Sequence, residues 1–142
     1  MDGAPVEVTP TVEELICSVL LRDFSATSSN PIFVAPFPLK VISASLIVWG
    51  SSVVTSDTNY WKLYIDKAAA IGGATTEIAF KHTKVTGGTA IVTRVDWNYN
   101  TVSWDATEAT FATGDVLQFV AYKTGAPTTL TTPLLTVRYS PL

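Results

Sequence analysis

The sequence predicts an all-β protein: an antiparallel two-sheet sandwich, jelly-roll or immunoglobulin-like, with an extended N-terminal arm. Three observations carry that reading. Short runs alternate apolar and polar side chains with the period of two that a half-buried strand requires. Turn-forming residues recur between those runs at intervals suited to a sandwich or barrel. The 142 residues are 47% hydrophobic and 15% charged, which is the size and apolar content of one domain able to close its own core without disulfide or metal.

The elements follow in chain order. Residues 1–14 hold Asp2, Glu7, Glu13 and Glu14 and no basic side chain, while Pro5 and Pro10 keep their neighbours extended. This stretch reads as an acidic arm without a hydrophobic face, set before a single domain over 15–142. It is either a frayed terminus or an arm that docks on a neighbouring subunit. Thr11-Val12-Glu13-Glu14 fits a capping box that would start a helix through Leu20. The residues beyond it are β-branched and apolar and lead into turn-rich sequence, so a strand is expected at about 15–24.

Residues 39–49 put Ile42, Ala44, Leu46 and Val48 on one face and Ser43 and Ser45 on the other. Tyr60 to Asp66 alternates with Trp61, Leu63 and Ile65 inward and Lys62 and Asp66 outward. Glu77 to Lys81 and Leu117 to Tyr122 repeat the pattern, and further strands are expected at about 90–96, 101–105 and 133–140. Gly72-Gly73, Gly87-Gly88, Asn98-Tyr99-Asn100, Gly114-Asp115 and Gly125-Ala126-Pro127 supply turns, because Gly and Asn tolerate positive φ. Asp105 to Phe111 has room for one helical turn. Threonine, at 21 residues, suits outward strand positions where its branched Cβ packs and its hydroxyl meets water.

Charge and composition exclude several classes. Nine basic against twelve acidic side chains give a net charge of -3, which provides no basic patch for nucleic acid. The arm takes four of the acids and leaves a near-neutral body. One cysteine and one histidine are too few for a structural zinc site, and Cys17 cannot close an internal disulfide. The first residues lack an apolar signal region, and no apolar run approaches the roughly 20 residues that cross a bilayer. No cofactor is expected: the phosphate-loop, dinucleotide, hydrolase-elbow and metalloprotease signatures are all missing.

The chemistry-bearing residues read as structural. His82, in Phe80-Lys81-His82-Thr83, is a surface or turn histidine near a strand end. Cys17 lies in Leu15-Ile16-Cys17-Ser18-Val19, an apolar setting that favours a small core residue over a nucleophile. Asp96, Asp105, Glu108 and Asp115 flank predicted turns as solvated acids rather than as an acid/base pair. In Asp96-Trp97-Asn98-Tyr99-Asn100-Thr101-Val102-Ser103-Trp104, rings beside amides have the composition of a sugar-binding face or protein interface. The competing reading has Trp97 and Trp104 pair across a hairpin and bury in the sandwich, leaving Tyr99 at the turn tip as the better exposed ring. The candidate partner-contact residues are therefore Glu7, Glu13, Trp97 and Tyr99.

The run Phe111-Ala112-Thr113-Gly114-Asp115-Val116-Leu117-Gln118-Phe119, then Lys123-Thr124-Gly125-Ala126-Pro127 and the terminal Leu135 to Leu142, resembles small β-sandwich virion proteins of tailed bacteriophages. Ala35-Pro36-Phe37-Pro38-Leu39-Lys40-Val41 and Asn59-Tyr60-Trp61-Lys62-Leu63 are similar to the same group. The resemblance covers about residues 15–142 and contains no catalytic motif; the arm lies outside it. It implies a non-enzymatic head decoration, or cement, protein: a homotrimer bound to the major capsid protein on the virion surface after synthesis in the bacterial cytoplasm, with no role for nucleic acid, membrane or cofactor. The alternative is a tail or fibre module that recognises host carbohydrate or another receptor.

Overall fold

The computed structural model describes residues 14–49, 55–88 and 94–142. Among them run nine strands: β1 (Leu15–Leu20), β2 (Ser28–Val34), β3 (Leu39–Val48), β4 (Tyr60–Ala68), β5 (Thr75–His82), β6 (Arg94–Asn98), β7 (Thr110–Phe111), β8 (Val116–Thr124) and β9 (Pro133–Pro141). One sheet has the order β1-β9-β3-β6, with β7 pairing the start of β3, and the other has the order β2-β8-β4-β5. Every pairing is antiparallel.

That order separates the two predicted sandwiches. An immunoglobulin-like chain keeps its first two strands in one sheet and its last two in the other. Here β1 and β2 lie in different sheets, as do β8 and β9, and β1 and β9 are neighbours. Setting aside the short β7, consecutive strands change sheet at every step except β4 to β5. This is the double Greek key of a jelly roll.

The core fills the space between the sheets. Trp61, Leu63 and Ile65 of β4, Leu117, Phe119 and Ala121 of β8, Leu46 of β3 and Trp97 of β6 are all buried, with Leu135 and Val137 of β9. Trp97 lies opposite Ala44 in the β3–β6 register, so a small residue makes room for a large ring on the same inner face. The Trp61 indole N–H donates to the Thr128 carbonyl at 2.9 Å, which satisfies the polar end of a buried ring.

Several expectations require correction, and each has a local cause. Ile42 is half-buried rather than inward, because β3 carries an irregularity against β9 between Val41 and Ser43. Val41 takes the core position before it, and Ala44, Leu46 and Val48 resume the alternation. The β4–β5 register shifts at Ile65/Asp66, leaving Ile78 and Ala79 both buried on β5. Cys17 is half-buried on edge strand β1 and is no part of the core. β2, absent from the sequence reading, carries Pro31 and so shows no strand-like pattern, which an edge position tolerates.

The expected strand at 101–105 is a turn region, and no Trp97–Trp104 hairpin forms. Its polar groups are used locally: the Thr101 N–H donates to the Asn98 carbonyl, and the Asn98 N–H to the Thr101 hydroxyl. The Ser103 hydroxyl then accepts from the Phe80 N–H at 2.8 Å and donates to the Phe80 carbonyl at 2.9 Å, and the Asp105 N–H donates to the Ile78 carbonyl. Residues 98–105 thus cap the open edge of β5, a position where unpaired backbone would invite another chain. Beyond them, an Ala109 N–H bond to the Asp105 carbonyl closes one helical turn, capped by the Asp105 carboxylate. Of the predicted strand at 90–96, residues 90–93 lie outside the described residues, as does the arm up to Glu13.

Candidate functional site

Among the described residues, two concavities and the outer faces of the two sheets are open to recognition. The first concavity, about 480 Å³, runs over the outer face of the β1-β9-β3-β6 sheet. Register aligns Ser45 of β3 with Thr136 of β9 and Asp96 of β6, and Thr136 with Ser18 of β1. The Ser18 and Thr136 hydroxyls bond at 3.0 Å. Small side chains therefore floor a trough, with the Arg94–Asp96 ion pair at 2.6 Å on one flank. On the other flank Arg138 faces Glu14 at 3.7 Å. The adjoining edge strand exposes Leu15, Ile16 and Leu20, and Trp49 is 70% exposed just past β3.

The opposite outer face is aromatic. Tyr64 stacks on Phe80 with centroids 5.6 Å apart, Phe80 meets His82 at 6.1 Å, and His82 meets Tyr60 at 6.2 Å. The Lys84 ammonium lies 4.7 Å from the Tyr60 centroid, and that of Lys62 lies 5.8 Å from the Tyr122 centroid. At the far end of this ladder Asp66 falls opposite both Glu77 and Gln118. Period-two geometry turns Asp66 outward as expected, but its neighbours bury it, and its Oδ1 has no hydrogen-bond partner among the described residues. Burial first, then the Glu77 charge, pushes its pKa from 3.8 up to about 6 against a hydrogen bond from Thr75. The same burial and the charges of Glu77 and Asp66 raise the Tyr64 phenol above its ordinary value.

The second concavity, about 370 Å³, opens beside β5, between the 98–103 turn and the 87–88 turn. Phe80, Lys81, His82, Asn100 and Val102 contribute to its wall. Tyr99 and Val102 are highly exposed on one of these turns, and Val85 is exposed on the other. Asp57 holds that second turn: its carboxylate accepts from the Thr86 N–H and hydroxyl, and these bonds lower its pKa.

Of the sequence-predicted contact residues, Tyr99 stands at the turn tip with 77% exposure. Trp97 is fully buried on the inner face of β6, beneath the trough it helps to line. Glu7 and Glu13 lie outside the described residues. The exposed apolar side chains of β1 were missed because a run of alternating burial looks the same in sequence whether or not a second layer covers its outer side.

No catalytic set assembles from the residues weighed for one. Asp96 pairs with Arg94, Glu108 with Lys67 at 3.1 Å, Asp105 caps its turn, and Asp115 accepts from the Ala112 N–H. Among the described residues no group of three or more His, Cys, Asp or Glu has the geometry to hold a metal ion. No helix among them is long and apolar enough to cross a membrane.

No protein-family model matches this chain, and no curated protein matches it. Among solved structures it is similar to a chain in the structure of infectious bursal disease virus Gx strain, with 13% identity and a TM-score of 0.35. The match covers 98% of this chain and 41% of that one, so this protein spans about two-fifths of the other's length. A similarity of that size carries no argument about function.

Proposed function

We propose that this chain is a non-enzymatic virion structural protein of a tailed bacteriophage, a head decoration protein that binds the assembled capsid as a homotrimer. Its partner on this reading is the major capsid protein, and its place is the capsid surface after synthesis in the host cytoplasm. The observation that carries the reading is the strand order β1-β9-β3-β6 against β2-β8-β4-β5, the jelly roll that viral capsid domains use, on a chain whose turn and strand texture resembles phage virion proteins. Lectin domains use the same architecture.

A cement protein needs a rigid body and surfaces that engage several subunits, and it needs no active site. Binding only the assembled shell stabilises that shell by mass action, and a trimer adds effective concentration without large individual interfaces. In this reading the acidic arm, residues 1–14, attaches to the capsid and contributes little to the sandwich. Labelled protein imaged on virions is expected in many copies over the head and as trimers; a few copies at the tail tip, or monomers on the shell, refute it. A version starting at Leu15 is expected to keep its melting temperature and lose occupancy on undecorated capsids. Equal occupancy removes the arm from attachment.

The second reading, a tail or fibre module binding host carbohydrate, is favoured by the exposure of Tyr99 beside Asn100. It calls for few copies per virion together with measurable sugar affinity.

A further inference from the structure

The cavity beside β5 is used by nothing in the decoration reading, and its wall has a definite chemistry. Phe80 contributes a ring held by its stack on Tyr64 at 5.6 Å, and Val102, fully exposed on its turn, adds apolar surface. Asn100 brings an amide and Lys81 an ammonium, the one charged group among the described lining residues. The hydroxyl of Ser103 is already committed to the Phe80 backbone.

His82 completes the wall. Its Nδ1 is enclosed without a hydrogen-bond partner among the described residues, and a Cβ added to Gly88 would come within 2.8 Å of it. Among the described residues the lining combines an apolar ring, an amide, an imidazole and one cation, with no carboxylate. At about 370 Å³ it falls in the range of small-molecule pockets, roughly 300–1,000 Å³.

We propose that the cavity bounded by Phe80, Lys81, His82, Asn100 and Val102 binds a pyranose sugar bearing a carboxylate. The apolar side of the sugar ring lies on Phe80 and Val102, hydroxyls meet Asn100 and His82, and the carboxylate faces Lys81. An ion pair at such a half-open position is a modest contribution, under about 1 kcal/mol, so it sets preference between sugars more than affinity.

The test uses the full chain and free glucuronic acid, with glucose as the neutral comparison, followed by amide chemical-shift perturbation in NMR titrations. Glucuronic acid is expected to perturb residues 80–88 and 99–103 and to bind about fivefold more tightly than glucose. Lys81→Met is expected to abolish that preference, and Asn100→Ala to weaken both sugars by about fivefold. Perturbations confined to the trough over Ser45 and Thr136, equal binding of the two sugars, or no response to either overturns the proposal. Sugar titration and capsid occupancy are separate measurements, so failure here leaves the decoration reading standing, and failure of decoration leaves this site standing.

Discussion

The outer faces of the two sheets occupy equivalent places in the sandwich and are built from opposite materials. Over β1-β9-β3-β6 the outward residues are small and hydroxylated, with Ser18, Ser45 and Thr136 aligned across three strands and ion pairs at the flanks. Over β2-β8-β4-β5 the outward residues are rings in contact, ending at a buried carboxylate. A period of two tells which residues leave the core, but it does not tell whether they then meet water or one another. The first face can change composition at little cost to folding; the second has become part of what holds its sheet.

The largest expected effect separates either outer face from the layer beneath it. Trp97 is fully buried under the trough, opposite Ala44, while the adjoining Ser45 faces out into the trough. Trp97→Ala should cost about 3–5 kcal/mol in chemical denaturation, as large-to-small core substitutions do. Ser45→Ala should stay within about 0.5 kcal/mol. Comparable losses for both would mean that the trough face is packed rather than open.

The next effect belongs to the aromatic face and is read by pH. Asp66 has its folded pKa raised from 3.8 to about 6, so its protonated form is the one the fold prefers. Its stabilisation is complete below about pH 4 and is lost as the pH rises through 6. Stability should therefore rise as the pH falls from 7.5 to 5, by about 1.4 kcal/mol from this group, and the melting temperature should rise with it. In Asp66→Asn that rise should disappear; if the variant keeps the wild-type slope, another group titrates in its place.

The smallest effect tests the flank of the trough. Arg94 and Asp96 are both largely exposed despite their 2.6 Å contact, and exposed pairs contribute about 0.2–1 kcal/mol at most. Arg94→Ala should lower the denaturation midpoint only slightly, and the difference should vanish in high salt as charges are screened. A loss that persists in high salt would assign the arginine a packing role through its aliphatic stem.

Legibility from the sequence followed the same division. The cores of β3, β4 and β8 could be read in large part in advance because each has an inner face of apolar residues, such as Trp61, Leu63 and Ile65. Tyr99 could be read as exposed because a turn tip leaves a ring nothing to pack against. Trp97 could not be separated from Tyr99 by composition: both rings sit in one Asn-rich run, and only the pairing of β6 with β3 turns one into the core. The cavity beside β5 was invisible for a related reason, since its walls come from Phe80 to His82 and from Asn100 to Ser103, segments joined by the bonds of the Ser103 hydroxyl to the Phe80 backbone, which no local pattern encodes.

By itself the sequence determined the all-β class, the main strands and most of their inward residues, because period-two patterning and turn chemistry are local properties of the chain. Tertiary structure decided the rest. The jelly-roll order depends on which strands meet across long separations, as β1 meets β9 and β3 meets both β6 and β9. The irregularities at Ile42 and Ile78 depend on partners that do not keep step. The burial of Asp66 depends on side chains from β5 and β8 closing around it. Each is a relation between segments distant in sequence, where the free energy of contact outweighs the local preference of any one of them.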